Sequence, residues 1–188
     1  MKRLLQRGNS KLSSNTLTFN IPASPSICGR VCKGCYSYKA YKMYPNVLPA
    51  QESRYQASLQ PDFTSRISSE LTRMRKPFKY VRIHASAGEF YSQSYIDFWL
   101  TIAKSNPAVT FYAYTKRVSD FDFSQLSALQ NFILIDSLHF GRINFGPSTA
   151  APNGAFICPA SDSIRCGEQC TFCMTKSAQT NGVWFNQH

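Results

Sequence analysis

Seven cysteines in this 188-residue chain fall into two groups whose spacing is related. The first group is the triad Cys28, Cys32 and Cys35, in a C-x3-C-x2-C pattern. The second group has four members, and the last three repeat the spacing of the triad: Cys158, Cys166, Cys170 and Cys173. Four thiolates can close a zinc site or hold every iron of a 4Fe-4S cluster, whereas three leave one iron open to a substrate or cofactor. The partition therefore predicts one open, reactive cluster and one closed metal centre.

The spacing also bears on which metal each group binds. A compact triad favours iron–sulfur, because zinc ligands usually come as two close pairs. Zinc at the triad would need a fourth ligand, such as His84. The four-cysteine group suits zinc and a second 4Fe-4S cluster about equally, so both alternatives remain open there.

The charge of the chain is strongly positive and unevenly distributed. Lys and Arg number 21 against 10 Asp and Glu, which gives a formal net charge of +11. The first 50 residues carry no acid at all, and Glu52 is the first acidic residue. A basic half-chain favours a polyanionic partner, so we expect a nucleic-acid or nucleotide substrate. The alternatives are a solvated basic face and positive charge that balances an anionic cofactor.

A tyrosine-rich segment, 36–44, lies within this basic half. Tyr38, Tyr41 and Tyr44 are three residues apart, and we predict that they pack one face of a helix against the sheet. The alternative is that the rings stack on nucleic-acid bases while Lys39 and Lys42 hold phosphates.

Composition excludes several classes of protein. A hydrophobic content of 43% argues against an intrinsically disordered chain. No apolar run approaches the roughly 20 residues of a membrane helix, and the N-terminus lacks the apolar core of a signal peptide. We therefore expect no membrane partner and a cytoplasmic location. Structural disulfides are rare in the cytoplasm, so the cysteines indicate metal binding or catalysis.

Periodicity predicts strands that alternate with helices. Strands are predicted over 16–21, 79–85, 109–115 and 132–136, with a last one beginning near 155–158. Helices are predicted over 36–44, from 62 to 74, from 92 to 106 and over 123–129. This pattern predicts an α/β fold with a mostly parallel sheet. We expect one α/β domain over 1–150, with a basic N-terminal arm, and a cysteine-rich metal module over 151–188 packed on it.

Three loops are expected at the carboxyl ends of the parallel strands, where the binding sites of such sheets collect. They carry the cysteine triad, the polar segment 86–89, and the pair Thr115 and Lys116. Thr115 and Lys116 are candidates for contact with the ribose or carboxylate of a cofactor, or else for a simple turn.

The triad follows the first predicted strand of an α/β chain and resembles the signature of the radical S-adenosylmethionine superfamily. The resemblance implies that Cys28, Cys32 and Cys35 hold a 4Fe-4S cluster whose open iron binds the methionine part of S-adenosylmethionine. It also implies reductive cleavage of S-adenosylmethionine to a 5′-deoxyadenosyl radical, with electrons from an external donor. The fold it implies is an incomplete (β/α) barrel, because this chain is too short for six βα units of roughly 30 residues each.

Segment 86–90 resembles the second signature of that superfamily, G-G-E-P. Gly88 and Glu89 match it, whereas Ala87 and Phe90 do not. The match implies that Ser86, Gly88 and Glu89 contact S-adenosylmethionine, with Glu89 accepting a hydrogen bond from the methionine amino group. The alternative for Glu89 is an acid that caps the start of the next helix.

Six segments occur in an order that resembles small phage proteins of the gene product 88 type. They are NSKL at 9–12, IPA at 21–23, the cysteine loop 28–36, RIHASAGEFYS at 82–92, AYTK at 113–116 and the terminal cysteine segment 158–173. The resemblance implies a viral or mobile-element origin, and a cytoplasmic location would then mean the cytoplasm of the host.

These patterns lead to two hypotheses about function. The first is a radical S-adenosylmethionine-like iron–sulfur enzyme that acts on a nucleic acid or nucleotide. The alternative is a non-catalytic, zinc-stabilised nucleic-acid-binding phage protein, in which the metal contributes folding energy and no turnover.

Overall fold

A five-stranded sheet organises the fold, in a computed structural model that describes residues 3–8, 11–29, 35, 37–137, 154–159 and 164–185. Its strands lie side by side in chain order: β1 (Gln6–Arg7), β2 (Thr16–Phe19), β3 (Tyr80–Ile83), β4 (Thr110–Thr115) and β5 (Phe132–Asp136). β1 pairs antiparallel with β2, and β2 to β5 are parallel. All four parallel strands therefore end at the same side of the sheet, called the carboxyl edge below, which is where a site is expected.

Helices make the connections between the parallel strands. The connecting helices are α1 (Pro25–Cys28), α2 (Ser37–Met43), α3 (Val47–Ser58), α4 (Phe63–Thr72), α5 (Gln93–Ser105) and α6 (Ser124–Ala128), and a further helix, α7 (Lys176–Asn181), comes after the last of these strands. Right-handed crossovers between neighbouring parallel strands place the connecting helices on one face of the sheet. None of the helices in the described ranges is long and apolar enough to cross a membrane.

An apolar core fills the space between the sheet and these helices. Alternate strand residues, such as Phe19, Ile83 and Phe111, are completely buried in it. Phe63 of α4 and Trp99 of α5 meet edge to face in the same core, with ring centroids 5.6 Å apart. The two-residue period of the strands and the helical period of α4 and α5 thus bury their apolar faces against each other.

The opposite face of the sheet is covered by residues 154–159 and 164–185. Tyr112, Ile133 and Ile135 point to that side and are buried together with Cys158 and Met174. The covering layer contains a second parallel sheet of β6 (Phe156–Ile157) and β7 (Val183–Trp184), a 3-10 turn (Phe172–Met174) and α7. The covering layer and the main sheet therefore share one apolar cluster.

The predicted α/β fold with a mostly parallel sheet is confirmed, and the described strands do not close into a barrel. β2, β3 and β4 lie inside their predicted ranges, and β5 coincides with its range. The periodicity of the sequence does not predict α3, because this helix has no apolar stripe. Its buried positions include Gln51, Arg54 and Ser58, which read as polar surface in the sequence.

The basic N-terminal arm packs against the rest of the fold. Leu4 and Leu5 are buried, and β1 extends the sheet by pairing with β2. The Arg7 guanidinium donates to three backbone carbonyls, and these bonds hold the side chain against the surface of the protein. The segment is held because its two leucines contribute apolar area to the core.

The prediction that Tyr38, Tyr41 and Tyr44 all pack against the sheet is wrong. Tyr38 and Tyr44 are 45% and 57% exposed. Tyr41 alone of the three turns inward, where its hydroxyl accepts from the Ala23 N–H at 2.8 Å and donates to Gln51 Oε1 at 2.7 Å. A spacing of three residues brings side chains near one another on a helix, but it does not say which of them faces the protein.

Candidate functional site

The loops that follow β2 and β3 are joined at the carboxyl edge. Ser37, two residues after Cys35, donates its hydroxyl hydrogen to the Ser86 carbonyl at 2.8 Å. The Ser86 N–H donates to Asn20 Oδ1, also at 2.8 Å, just beyond the end of β2. The predicted cofactor segment 86–89 is therefore held by residues on both sides of the cysteine triad.

Gly88 brings the backbone of that segment against Ile21. Its φ of +91° lies in the left-handed region that favours glycine. A Cβ at Gly88 would collide with the Ile21 side chain and lie 2.9 Å from the Ile21 carbonyl oxygen. The structure thus supplies a backbone reason for glycine at this position, whether or not a cofactor binds there.

Glu89 links the loop after β3 to the end of β4. Its carboxylate accepts from Thr115 Oγ1 at 2.8 Å and from the Lys116 N–H at 3.1 Å. The alternative prediction, that Glu89 caps the next helix, is wrong, because the Ser92 side chain caps α5 by accepting from the Tyr95 N–H. Three of the predicted cofactor residues are therefore in direct contact with one another.

The surroundings of Glu89 influence the pKa of its carboxyl in opposite directions. Burial is the largest influence and raises the pKa of the carboxyl above its ordinary value. Hydrogen bonds from Thr115, Lys116 and the Phe90 backbone, together with the charge of Lys116, act to lower the pKa. A further cation at this carboxyl would favour its ionised form.

Arg117 closes the ring of contacts by joining the end of β4 to the triad loop. One of its terminal nitrogens, Nη1, donates to the Ile27 carbonyl at 3.0 Å, next to Cys28. Its Nε bonds Asp120 at 2.6 Å, and the guanidinium lies 4.7 Å from the centre of the Phe121 ring. The three loops of the carboxyl edge are thus connected in pairs, each to the other two.

Two of the three triad cysteines are described, and Cys32 lies outside the described residues. Cys28 ends α1, and Cys35 lies two residues before α2; both are half-buried thiols. Burial raises the pKa of the Tyr41 hydroxyl, and the nearby Cys35 and Cys28 raise it further. Both thiols therefore lie close enough to the Tyr41 hydroxyl to influence its pKa.

The second cysteine group lies on the covered face of the sheet. Tyr114 donates its hydroxyl hydrogen to Cys173 Sγ at 2.8 Å. Burial raises the pKa of Cys173 to about 11, and the neighbouring Cys158 and Cys166 raise it as well. The pKa of Cys166 is also raised by burial and by Cys170. Each of the four cysteines is therefore electrostatically coupled to at least one other.

Arg82 lies beneath this group on the same face. Its guanidinium carbon is 5.3 Å from the centre of the Tyr114 ring and 5.9 Å from that of Tyr112. Its positive charge acts to lower the pKa values of Cys166 and Cys173. A half-buried cation beside thiols favours their thiolate forms, which are the forms that bind metal.

The Cys166–Cys170 turn is docked on the chain before β2. The Cys166 N–H donates to the Lys11 carbonyl at 3.0 Å, and the Ser13 N–H donates to the Cys166 carbonyl at 2.9 Å. The Asn15 side chain donates to the Gly167 carbonyl at 2.9 Å. This segment is thus tied to the sheet away from the triad loop.

The described cysteines that were predicted as metal ligands do not surround a common point as metal ligands would. Across the described residues, no group of three or more His, Cys, Asp or Glu side chains lies close enough to hold a metal ion. His84, the alternative fourth ligand for the triad, lies in the aromatic core instead, with Nε2 3.1 Å from the Tyr95 hydroxyl.

The model of one protein family, described as gene product 88, matches residues 3–144 of the chain. The chain belongs to the gene product 88 family. The resemblance to phage proteins of that type is therefore confirmed. No curated protein and no solved structure matches the chain.

The range matched by the gene product 88 model includes all five strands of the main sheet and the three loops of the carboxyl edge. It ends before Cys158, so the terminal cysteine segment is not part of the match. The family assignment thus rests on the part of the chain that carries Cys28, Glu89 and Thr115.

Sequence reasoning missed Arg82 and Arg117. The two-residue period of β3 contains a signal for Arg82, because Val81 and Ile83 face the helices and the residue between them must face the other side. The role of Arg117 has no comparable signal, because its bond to the Ile27 carbonyl joins residues 90 positions apart.

Proposed function

We propose that the chain is a radical S-adenosylmethionine-like iron–sulfur enzyme that acts on a nucleic-acid or nucleotide substrate. The proposal is supported above all by the connection of three loops at the carboxyl edge. Ser86 joins the 86–89 loop to the triad loop, Glu89 joins it to the end of β4, and Arg117 joins β4 back to the triad loop. Parallel sheets bind their cofactors at this edge.

In this proposal, Cys28, Cys32 and Cys35 hold a 4Fe-4S cluster. With S-adenosylmethionine bound, a reduced cluster there would supply one electron to cleave the bond between the sulfonium sulfur and C5′, which gives methionine and a 5′-deoxyadenosyl radical. The chain itself positions the cofactor and excludes water. An external donor supplies the electron, and the protein works in the host cytoplasm.

Glu89 is suited to hold the methionine amino group. A carboxylate offers about four acceptor sites. Thr115, Lys116 and the Phe90 backbone use three of them, which leaves one for an ammonium. Thr115 and Lys116 would then act on the cofactor through Glu89 by fixing its orientation, while Ser86 and Gly88 set the course of the loop.

The second cysteine group would hold either a further 4Fe-4S cluster or zinc. Four thiolates around either centre leave a net negative charge. Arg82 offers a compensating positive charge, and the Tyr114 hydroxyl donates to the sulfur of Cys173. Both are outer partners of the kind that orient and tune ligands.

Metal analysis of protein purified without oxygen tests the proposal. We expect about four irons and four sulfides for the triad, lost in Cys28→Ser, with visible absorption typical of iron–sulfur. Zinc without sulfide in the wild type would contradict the enzyme and favour a zinc-stabilised nucleic-acid-binding protein. That second candidate is supported by the net charge of +11 and by the exposed, basic face of α2.

A further inference from the structure

α2 and Tyr44, which follows it directly, expose large apolar side chains where a surface helix would ordinarily carry polar ones. Tyr38, Met43 and Tyr44 are 45%, 58% and 57% exposed. Within the described residues, the other exposed large apolar side chains are Leu59 at 47% and Ile157 at 40%. Three of these five exposed side chains lie within one segment of seven residues, and exposed apolar side chains that are concentrated in this way point to an interaction surface.

The helix that carries this patch is held firmly from its other side. Ser37 is buried and bonds the Ser86 carbonyl, and the Tyr41 hydroxyl bonds both the Ala23 N–H and Gln51. Tyr38 is also braced by an edge-to-face contact with Tyr41, with centroids 6.0 Å apart. The exposed rings are thus presented on a fixed support and would lose little conformational entropy on binding.

Positive charge is interleaved with the exposed rings. Lys39 and Lys42 are exposed on the same face of α2 as Tyr38 and Met43. No acidic residue occurs in the chain before Glu52. The guanidinium groups of Arg7 and Arg54, by contrast, donate hydrogen bonds to backbone carbonyls of this chain. The positive charge that remains available to a partner in this region therefore includes the two lysines beside the tyrosines.

We propose that this surface, consisting of Tyr38, Lys39, Lys42, Met43 and Tyr44, binds single-stranded nucleic acid. Unstacked bases lie on the tyrosine rings, and the lysines contact the phosphates. Aromatic rings interleaved with basic residues are the chemistry by which proteins hold single strands without reading their sequence. A duplex would keep its bases stacked on one another and leave the rings unused.

The location of the surface deepens the proposed function, on which this step rests. α2 begins two residues after Cys35 and is bonded to the 86–89 loop through Ser37. A strand held on α2 therefore lies next to the edge where the cofactor is proposed to bind. The inference assigns the substrate class as single-stranded nucleic acid.

Fluorescence anisotropy with a labelled oligothymidylate of about 20 nucleotides tests the inference, since single-strand sites span roughly 4–16 nucleotides. Tyr38→Ala and Tyr44→Ala should each weaken binding about tenfold while leaving its salt dependence unchanged. Lys39→Gln with Lys42→Gln should reduce the slope of log affinity against log salt by about 1.4, which corresponds to two lost phosphate contacts.

Leu59→Ala and Lys104→Gln are matched controls, because both side chains are exposed elsewhere on the protein. Both should bind the oligonucleotide as the wild type does, and thermal unfolding should show all variants folded. Equal losses in the controls, or no loss in the α2 variants, would overturn the inference. The inference would also be overturned if the wild type bound phosphatidylserine vesicles and not the oligonucleotide, and if the tyrosine variants lost the binding to vesicles.

These outcomes are separate from those of the metal analysis. Oligonucleotide binding needs neither a reduced cluster nor S-adenosylmethionine. Zinc without sulfide would contradict the proposed enzyme and would not affect the proposed role of the α2 surface. If the protein contains an iron–sulfur cluster and the α2 substitutions leave its oligonucleotide binding unchanged, only the proposed role of the α2 surface would be contradicted.

Discussion

Glu89 is the residue on which the carboxyl edge depends, because its buried carboxylate ties the loop after β3 to the end of β4. A buried carboxylate destabilises a fold unless donors satisfy it. Thr115 and Lys116 provide those donors. All three residues were predicted as site residues from their positions after strands. Their contact with one another could not be predicted, because Thr115 and Glu89 are 26 positions apart and meet only once β3 and β4 pair.

The bond between Thr115 and Glu89 can be removed with little change of shape by Thr115→Val. We expect the free energy of unfolding at pH 7 to fall by about 1.5–3 kcal/mol, the range for a hydrogen bond to a charged group. The loss should shrink in acid, where the carboxyl protonates. Urea unfolding measures this loss of stability. The control is Thr72→Val, at an exposed position of α4, which should change the free energy of unfolding by less than about 0.5 kcal/mol. Equal losses in the two variants would contradict the bond's role.

His84 is a buried titratable group whose protonation opposes folding. It lies directly after β3 with a φ of +56°, and its ring packs against Phe90 and Tyr95. Burial lowers its pKa from 6.5 to about 3. The unfolded chain therefore takes up the proton at a higher pH than the folded protein does, and stability is lost as the pH falls through that interval.

Between about pH 6.5 and pH 3, His84 should lower the free energy of unfolding by up to roughly 1.4 kcal/mol per pH unit. His84→Asn removes the titration, and asparagine tolerates the left-handed backbone conformation. The variant should therefore show a flatter dependence of stability on pH, measured by denaturant unfolding at several pH values. A slope identical to that of the wild type would mean that His84 is not the group responsible.

At the scale of elements, the sequence predicted best those that are amphipathic. α5 was placed by its apolar stripe and by Ser92, which caps it as expected. α3 was missed because polar side chains fill its buried face, including Arg54, which donates to the Leu4 carbonyl at 2.9 Å. β1 could not be predicted, because a two-residue strand has no period and exists only through its pairing with β2.

Glu70 of α4 holds the N-terminal segment to the helical side of the fold. Its carboxylate accepts from the Leu4 N–H at 2.8 Å and from the Leu5 N–H at 2.9 Å. Glu70→Ala should speed hydrogen exchange at these two amides at least about tenfold and leave α5 protected. Glu52→Ala, at an exposed position of α3, is the control and should change neither. Unchanged exchange at Leu4 and Leu5 in Glu70→Ala would show that the apolar contacts alone retain the segment.

At the scale of the whole molecule, the main sheet carries different features on its edge and on its two faces. Helices cover one face, residues 154–159 and 164–185 cover the other, and Cys28 and Cys35 lie at the carboxyl edge. Spacing alone separated the cysteines into three and four, but only the fold assigns the two groups to different places. The exposed rings of α2 flank the edge, so a substrate strand and a cofactor would meet there without crossing the sheet.

The central claim is that the carboxyl edge binds and cleaves S-adenosylmethionine, and the most direct measurement is formation of 5′-deoxyadenosine. Protein purified without oxygen is mixed with dithionite and S-adenosylmethionine, and the product is quantified for the wild type, Glu89→Gln and the control Glu52→Gln. The account predicts product from the wild type and the control, and at least about tenfold less from Glu89→Gln, since a charge-assisted bond to the amino group is lost. Absence of 5′-deoxyadenosine from wild-type protein that contains iron and sulfide would contradict it.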